Sequence, residues 1–303
     1  MSETRTLLAI DERRAARPVR AGRARTRARI ITIVWIVIAV ALAAIVLYPL
    51  VWMFAASFKP HSEFGSNQGL LPQNPTIDNY LTVLGGVAGV PLWQFFANSM
   101  ILAVGSVIGI VISSSMAAYA FARVDFKGRA LLFTIMIGTM LLPFHVLIIP
   151  QYMLFRNLGL VDTFVPLLIG KFLATEAFFV FLMVQFIRGL PRELDEAARI
   201  DGAGHPRVFF SITLPLIKPA LITSSIFAFI WSWNDFLGPL LYLNSPNKQP
   251  VPLALRIFND QTSTSDLGAT IAVSVLALLP VLVFFMIFQR FLVEGVATQG
   301  LKG

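Results

Sequence analysis

Cysteine is absent from the 303 residues, and charged side chains make up only 13% of them. Without cysteine the chain forms no disulfide, no thiolate metal site and no cysteine nucleophile. The three histidines, His61, His145 and His205, are too scattered to match metal-ligand spacing. Because 56% of the residues are hydrophobic and the mean hydropathy is +0.75, the composition also excludes an ordinary soluble domain.

Catalytic and nucleotide-binding patterns are missing as well. A phosphate-binding loop needs G-x4-G-K-[ST], and Gly170-Lys171 lacks both the upstream glycine and the following serine or threonine. No serine or aspartate stands in a recognisable triad context. The sequence therefore predicts a chain that is not an enzyme, holds no metal and binds no cofactor of its own.

Long apolar runs dominate the chain. Six of them are long enough to cross a bilayer, which takes about 20 residues of helix. Their all-round hydrophobicity favours membrane-spanning helices over the helices of a soluble core. We expect Pro143 and Pro150 to kink the third run. The predicted fold class is an all-α membrane protein with spans at Ile30–Phe54, Leu92–Phe121, Ala130–Tyr152, Val165–Phe186, Lys218–Leu243 and Gly268–Leu292.

Basic residues predict the orientation of these spans. Nine arginines precede the first one, in a segment too long and too arginine-dense for a signal peptide. With that end inside, the inner segments carry 19 of the 24 lysines and arginines, so both termini are predicted to be cytoplasmic. The predicted organisation is a disordered basic arm at 1–29, a six-helix transmembrane domain at 30–292 and a cytoplasmic tail at 293–303. The arm could touch anionic lipid of the membrane, whereas this distribution argues against nucleic acid as a partner.

The outer segments are short. Lys59–Pro91 is too small for a ligand-binding domain. Asn244–Leu267 is polar and is predicted to pack as a lid or a docking ledge. Since neither is large enough to capture a solute alone, capture would need another protein.

The polar loop Leu190–Ala220, which lies between two apolar runs, predicts two short helices joined by a glycine turn. Pro191 suits the first helical position, and Glu193, Asp195 and Glu196 place negative charge in the first turn, opposite the positive helix end. Such an ordered loop on one face of a membrane protein is typical of a docking surface.

The second half of this loop begins at the turn. Gly202 and Gly204 permit a stop and a sharp bend. A second helix is predicted at Arg207–Ile212, with Leu214-Pro215 breaking it before the next span.

A longer motif covers the loop. Glu196-Ala197-Ala198 is followed by Gly202 and, after nine more residues, by Ile212-x-Leu214-Pro215, so every fixed position of E-A-A-x3-G-x9-I-x-L-P is matched. The chain therefore resembles the permeases of binding-protein-dependent ABC importers, which carry this motif in their EAA loop.

The resemblance extends from about Ser57 to Gly303 and is strongest to the second permease subunit of maltose-type carbohydrate importers. The tail Gly295–Gly303 follows the family's glycine-rich ending only loosely, which puts a tail contact with the ATPase in doubt. The similar stretches are Ser57-Phe58-Lys59-Pro60, Asn98-Ser99, Ala118-Tyr119-Ala120-Phe121-Ala122-Arg123, Pro143, Pro150, Gln185-Phe186, Trp233-Asn234-Asp235-Phe236 and Gly300-Leu301-Lys302-Gly303.

This resemblance implies the fold, the partners and the mechanism. It implies a type I ABC importer permease in the bacterial cytoplasmic membrane, importing a sugar or oligosaccharide. The implied partners are a paralogous second permease subunit, two ATPase subunits or domains that carry ATP and Mg, and an extracytoplasmic solute-binding protein. The ATPase would push on the short helix of the EAA loop, and the residues implied in that coupling are Glu193, Leu194, Glu196, Ala197, Ala198, Asp201, Gly202 and Gly204. Of these, Leu194, Ala197, Ala198 and Asp201 follow helical spacing and predict one docking face.

Polar side chains inside spans are the candidates for a solute pathway. They are Glu176 in the fourth span and the group Trp231, Trp233, Asn234 and Asp235 in the fifth, where aromatic faces and acceptors suit a sugar. The competing interpretation is that these polar groups hydrogen-bond neighbouring helices. Lys171 is not expected to pair with Glu176, because a five-residue helical spacing places them on different faces.

The sequence is also compatible with two other functions. The importer could carry a glycerol-phosphate-type or other polar solute. A secondary transporter would need coupling-ion residues and inverted repeats, neither of which is evident.

Overall fold

The computed structural model describes residues 17–66, 69–261 and 267–297, and the regular structure in those ranges is helical apart from an isolated bridge between Val87 and Val90. The chain divides into two units, residues 1–56 and 57–303. The first unit contains helix α1, Arg17–Ala56. It begins earlier than Ile30, so residues 17–29, expected to be disordered, are helical here. Alanine and arginine, which fill most of that stretch, are strong helix formers. The rest of the arm lies outside the described residues.

The second unit is organised around one long helix, α3, Leu92–Arg123. A 3-10 turn at His61–Glu63 and helix α2, Asp78–Leu84, precede it. Helices α6, α7 and α10, whose bounds follow below, pack along α3. Gly109 permits the close approach of α6, since a Cβ atom there would lie 2.9 Å from Cδ2 of Phe172.

The third predicted span is divided into two helices. Helix α4, Arg129–Thr139, ends before Pro143, and α5, Phe144–Asn157, begins after it. Proline disfavours the helical conformation in the residue that precedes it, here Leu142, and this explains a full break where a kink was expected. Pro150 lies inside α5.

The fourth predicted span is interrupted as well. Helix α6, Val165–Phe172, and helix α7, Ala177–Arg188, are separated by a short turn in which Ala174 has a φ of +55°. Glu176 stands at the end of this turn and precedes α7 directly.

The EAA loop forms two helices, as predicted, with different bounds. Helix α8 is Glu193–Ile200, and α9 is His205–Leu216 with a π-helical stretch at Phe209–Thr213. The prediction that Leu214-Pro215 breaks the second helix is wrong. A π turn opens the backbone just before Pro215, where an α-helical carbonyl four residues earlier would meet the ring. The chain instead bends by 75° between α9 and α10, Lys218–Trp233.

The remaining helices complete the unit. Helix α11, Leu237–Tyr242, follows α10 after a short break. A 3-10 turn at Pro246–Lys248 and helix α12, Val251–Gln261, form the polar segment before α13, Leu267–Ala297. The tail from 298 onward lies outside the described residues.

By length and composition, four described helical stretches could cross a membrane, and the bent pair α9 and α10 would make a fifth. Helix α4 is apolar but shorter. The four stretches are Arg29–Ala56, Leu92–Arg123, Val165–Arg188 and Leu267–Gln289.

Candidate transport sites: the EAA loop and a polar cavity

One buried ion pair links helix α8 of the EAA loop to the rest of the chain. Its first turn carries three acidic residues, and only Asp195 turns inward. Asp195 Oδ2 lies 3.0 Å from Nε of Arg123, the last residue of α3, and the two side chains are 13% and 5% exposed. An ion pair shielded this well is far more costly to break than one on the surface.

Arg123 also satisfies the end of helix α7. Its Nη2 donates hydrogen bonds to the carbonyl oxygens of Ile187, at 2.9 Å, and Leu190, at 2.8 Å. The last carbonyls of a helix have no partner inside it, and a guanidinium offers several donors in one plane. One side chain therefore joins α3, α7 and α8, and we call this arrangement the Arg123 junction.

Apolar contacts hold the rest of the loop. Val208 and Phe209 of α9 are buried in a cluster with α3 and α7, and Ala198 and Ala203 pack against the same cluster. The hydroxyl of Tyr119 is 3.2 Å from Nδ1 of His205. The loop therefore has a buried underside, and the two helices rest on the ends of the spans.

The outward face of α8 carries most of the residues implied in coupling. Glu193, Glu196, Ala197 and Asp201 are exposed, and Leu194 is 42% exposed. Ala198 differs, since it packs on the cluster underneath. Ile200, which the sequence analysis left out, is 87% exposed and adds an apolar contact point.

The two glycines of the turn are not equivalent. Gly202 has a φ of +82°, in the region that side-chain-bearing residues avoid, and it follows α8 directly after Asp201. Gly204 has a φ of −75° and a ψ of 170°, which any residue adopts. The backbone conformation therefore favours glycine at position 202 and not at position 204.

A second candidate site is a cavity of about 380 Å³ between α3, α6, α7, α10 and α11. We call it the polar cavity. Its wall combines apolar side chains with serines, one ion pair and an indole. The polar and aromatic residues that line it are Ser106, Lys171, Glu176, Phe179, Trp231, Ser232 and Asp235. A neighbouring cavity of about 340 Å³ shares Lys171, Glu176 and Asp235, so these three side chains lie between two open spaces.

Lys171 and Glu176 form an ion pair, contrary to the expectation from helical spacing. The expectation was wrong because α6 ends at Phe172 and α7 begins at Ala177, so the two residues do not share a helix. The left-handed residue Ala174 interrupts the helix between them. The signal available in the sequence was the presence of two opposite charges within one apolar run.

The structure separates the five predicted pathway residues into two groups. Glu176, Trp231 and Asp235 line the polar cavity. Trp233 is buried, donates from Nε1 to the carbonyl of Ala277 at 3.1 Å and lies stacked on an aromatic neighbour. Asn234 is exposed, and its Nδ2 donates to the carbonyl of Ile230 at 2.8 Å.

Sequence reasoning missed Lys171, Ser106 and Ser232, which also face the polar cavity. The hydroxyls of Ser106 and Ser232 are 3.1 Å apart and connect α3 to α10. Isolated serines in apolar helices are too common to have been singled out. Among the described residues, no group of histidine, aspartate and glutamate side chains could hold a metal ion.

The polar segment after α11 is held by Asp162, and we call residues 244–250 the ledge. Asp162 accepts hydrogen bonds from the backbone N–H groups of Asn244 and Ser245, each at 3.0 Å, and from Nζ of Lys248 at 2.9 Å. The Lys248 bond, followed by those from Ser245, holds the pKa of Asp162 well below its usual range. Nδ2 of Asn98, on α3, donates to two ledge carbonyls, each at 2.9 Å.

Comparison with known proteins gives the class. Residues 105–298 match the family described as binding-protein-dependent transport system inner membrane component. The chain belongs to that family, and it is accordingly a multi-pass permease subunit of the inner membrane.

Individual relatives cover nearly the whole chain. The arabinooligosaccharides transport system permease protein AraQ of Halalkalibacterium halodurans is 35% identical over 266 residues, which is 86% of this chain and 93% of the relative. The trehalose/maltose transport system permease protein MalG of Thermococcus litoralis is 31% identical over 271 residues, 89% and 97% of the two chains. A crystal structure of a bacterial ABC transporter involved in the import of the acidic polysaccharide alginate matches with a TM-score of 0.75 and 26% identity, covering 86% of this chain and 96% of that chain.

Proposed function

We propose that this permease is one half of the membrane channel of an ATP-driven sugar importer and that the EAA loop transmits the motion of a separate ATPase to it. The observation that carries the proposal is the Arg123 junction beneath α8. A push on the exposed face of α8 reaches α3 and α7 directly, because Asp195 and Arg123 link all three helices. Both α3 and α7 also line the polar cavity.

The proposed topology has six spans with both termini and the EAA loop in the cytoplasm. The 19-to-5 distribution of lysine and arginine supports this orientation. The third, fourth and fifth spans are then broken helices, α4 with α5, α6 with α7 and α10 with α11. Broken spans are tolerated where they line a protein cavity, and the break before α7 places Lys171 and Glu176 there.

The proposed cargo is a neutral sugar or oligosaccharide. The named relatives handle arabinooligosaccharides and trehalose or maltose. The polar cavity offers an exposed indole, Trp231, for stacking and hydroxyl and carboxyl groups for hydrogen bonding. Its volume, about 380 Å³, falls within the range of small-molecule sites. Among the described residues that line it, the single cation, Lys171, is already paired with Glu176, which disfavours a phosphate ester.

The remaining subunits would be supplied by other chains. A solute-binding protein would deliver the sugar, a paralogous permease would complete the channel, and two ATPase subunits would hydrolyse MgATP. The family's description supports the binding protein, since its members are inner membrane components of binding-protein-dependent systems.

The experiment is uptake by proteoliposomes that contain the complete purified complex. We expect a labelled neutral oligosaccharide to enter only with ATP at the ATPase side and binding protein at the other. Unlabelled glycerol phosphate and uronate oligosaccharides serve as competitors. Uptake without ATP would contradict the proposal of an ATP-driven importer. Competition by glycerol phosphate alone would contradict the proposal of a sugar cargo.

A further inference from the structure

A second polar pocket, with a volume of about 290 Å³, lies beside the Arg123 junction and is lined mainly by arginine. We call it the arginine basin. Its members come from the end of α3, the start of α4, the end of α7 and the residue before α8. The lining residues are Phe121, Ala122, Arg123, Arg129, Arg188 and Arg192.

The four guanidinium groups differ in whether a carboxylate already pairs with them. Arg123 is buried and paired with Asp195. Arg129 Nη1 lies 2.6 Å from Oδ1 of Asp125, a side chain that is 91% exposed. An ion pair this exposed to solvent contributes little stability, and another anion can readily replace its carboxylate.

The other two arginines have no carboxylate partner in the part of the chain that the structure describes. The guanidinium carbon of Arg188 lies 4.9 Å from the centre of the Phe133 ring, a cation–π contact that leaves its donors open. Arg192 is exposed and stands directly before α8. Four guanidinium groups and two carboxylates leave the arginine basin with an excess of positive charge.

Guanidinium groups bind phosphate through paired, charge-assisted hydrogen bonds, and a basin with several of them suits one phosphate group. The adjacent helix also indicates where that phosphate comes from. Helix α4 begins at Arg129 and exposes Leu131, Leu132 and Ile135 to 65%, 50% and 54%. This apolar face continues from the basin, as acyl chains would continue from a headgroup.

We propose that the arginine basin binds the phosphate headgroup of an anionic glycerophospholipid at the membrane surface. Basic pockets between the ends of membrane helices bind such headgroups. Because Arg123 also anchors α8, the bound lipid lies one side chain away from the coupling helix. The proposal rests on the function and orientation proposed above.

The test is retention of labelled phosphatidylglycerol by the purified complex in mild detergent. Wild type should retain phosphatidylglycerol in preference to phosphatidylcholine. The double variant Arg188→Gln with Arg192→Gln should bind it roughly thirty-fold more weakly, since each arginine near the surface contributes a factor of about five. The pair Arg199→Gln with Arg207→Gln removes the same charge from the EAA loop outside the basin and should retain wild-type binding.

Further measurements show which results would overturn the proposal. Equal retention by wild type and the basin variant would overturn the proposal, as would displacement by inorganic phosphate with no preference for the lipid. If the double variant does not assemble, the single variant Arg192→Gln replaces it, because this side chain is exposed and its loss leaves the packing intact. Unchanged retention by that variant would overturn the proposal. Retention is measured without transport, so a failure of uptake would refute the proposed function and leave this result intact.

Discussion

At the residue scale, the exposed carboxylate of Glu196 on α8 is the proposed contact with the ATPase. We expect Glu196→Lys to insert normally but to lose the partner, because reversing a charge in a small interface costs about 2–5 kcal/mol of association. Pull-down of the ATPase from solubilised membranes measures this. Asp78→Lys is the matched control, an exposed carboxylate in the first turn of another helix. Wild-type retention by Glu196→Lys, with normal ATP-driven uptake, would remove Glu196 from the interface.

The turn after α8 offers a second residue-scale prediction. Gly202 and Gly204 both leave room for a Cβ atom, and only Gly202 has a positive φ. Gly202→Val should therefore cost roughly 1–3 kcal/mol in backbone strain and reduce coupled uptake, while Gly204→Val remains close to wild type. The comparison isolates backbone conformation from side-chain crowding. Equal uptake by the two variants would show that the left-handed turn is unimportant for coupling.

At the element scale, the Arg123 junction sets how firmly α8 is attached. Asp195→Ala leaves Arg123 largely buried without its carboxylate, which we expect to destabilise the docked loop by about 3 kcal/mol. Limited proteolysis across residues 190–220 of the solubilised complex measures this as faster cleavage. Glu193→Ala, an exposed acidic residue in the same turn, is the control. Identical cleavage rates would mean that the apolar cluster alone holds the loop.

The ledge should respond to acid through Asp162. Its pKa is depressed in the folded protein, so its bonds to Lys248 and Ser245 stabilise the ledge at every pH above the ordinary value of 3.8. That stabilisation is lost as the pH falls through the lower folded pKa. We expect hydrogen exchange of the Asn244 and Ser245 amides to stay protected from neutral pH down to about pH 4. In Asp162→Asn, the same amides should be weakly protected at neutral pH, and their protection should change little with acid. Protection like that of the wild type would show that the carboxylate does not hold the ledge.

The elements differ in how far the sequence predicts them. Apolar length predicts the four long helical stretches of the described chain, and the prolines, glycines and acidic residues of the EAA loop predict its two helices. The breaks within the apolar runs are harder to predict: Lys171 and Glu176 pair only once the helix is interrupted at Ala174, and helical spacing alone predicts that they stay apart. The π stretch before Pro215 and the link from Arg123 to Asp195 are likewise tertiary features, and nothing in spacing or composition specifies them.

The candidate pathway shows the same limit. The residue types were sufficient to select Trp231, Asp235 and Glu176, which do share the polar cavity. Trp233, two residues along the same helix, points elsewhere and packs on Phe229. Helical rotation separates neighbours by about 100° per residue, so a cluster in sequence is not a cluster in space.

At the scale of the whole molecule, the proposed function makes the chain one half of a channel with a docking loop, and we expect it to work only in a hetero-assembly. The sequence contains no phosphate-binding-loop motif, and we expect the nucleotide site and the solute-capture domain of the importer to come from other chains. The polar cavity opens beside broken helices, and a pseudo-two-fold partner would complete a sugar-sized path there.

The measurement is the subunit composition of the purified, transport-active complex. We expect this chain, one paralogous permease and two ATPase subunits, with the binding protein joining when sugar is present. Trp231→Ala should then lower uptake in the intact complex through lost stacking, without changing its composition, whereas Trp233→Ala should lower its stability because a buried packing contact is lost. A homodimer of this chain that imports sugar with one type of ATPase would contradict the paralogous partner. A complex without any ATPase that still concentrated solute would contradict the importer itself, and the coupling role of α8 with it.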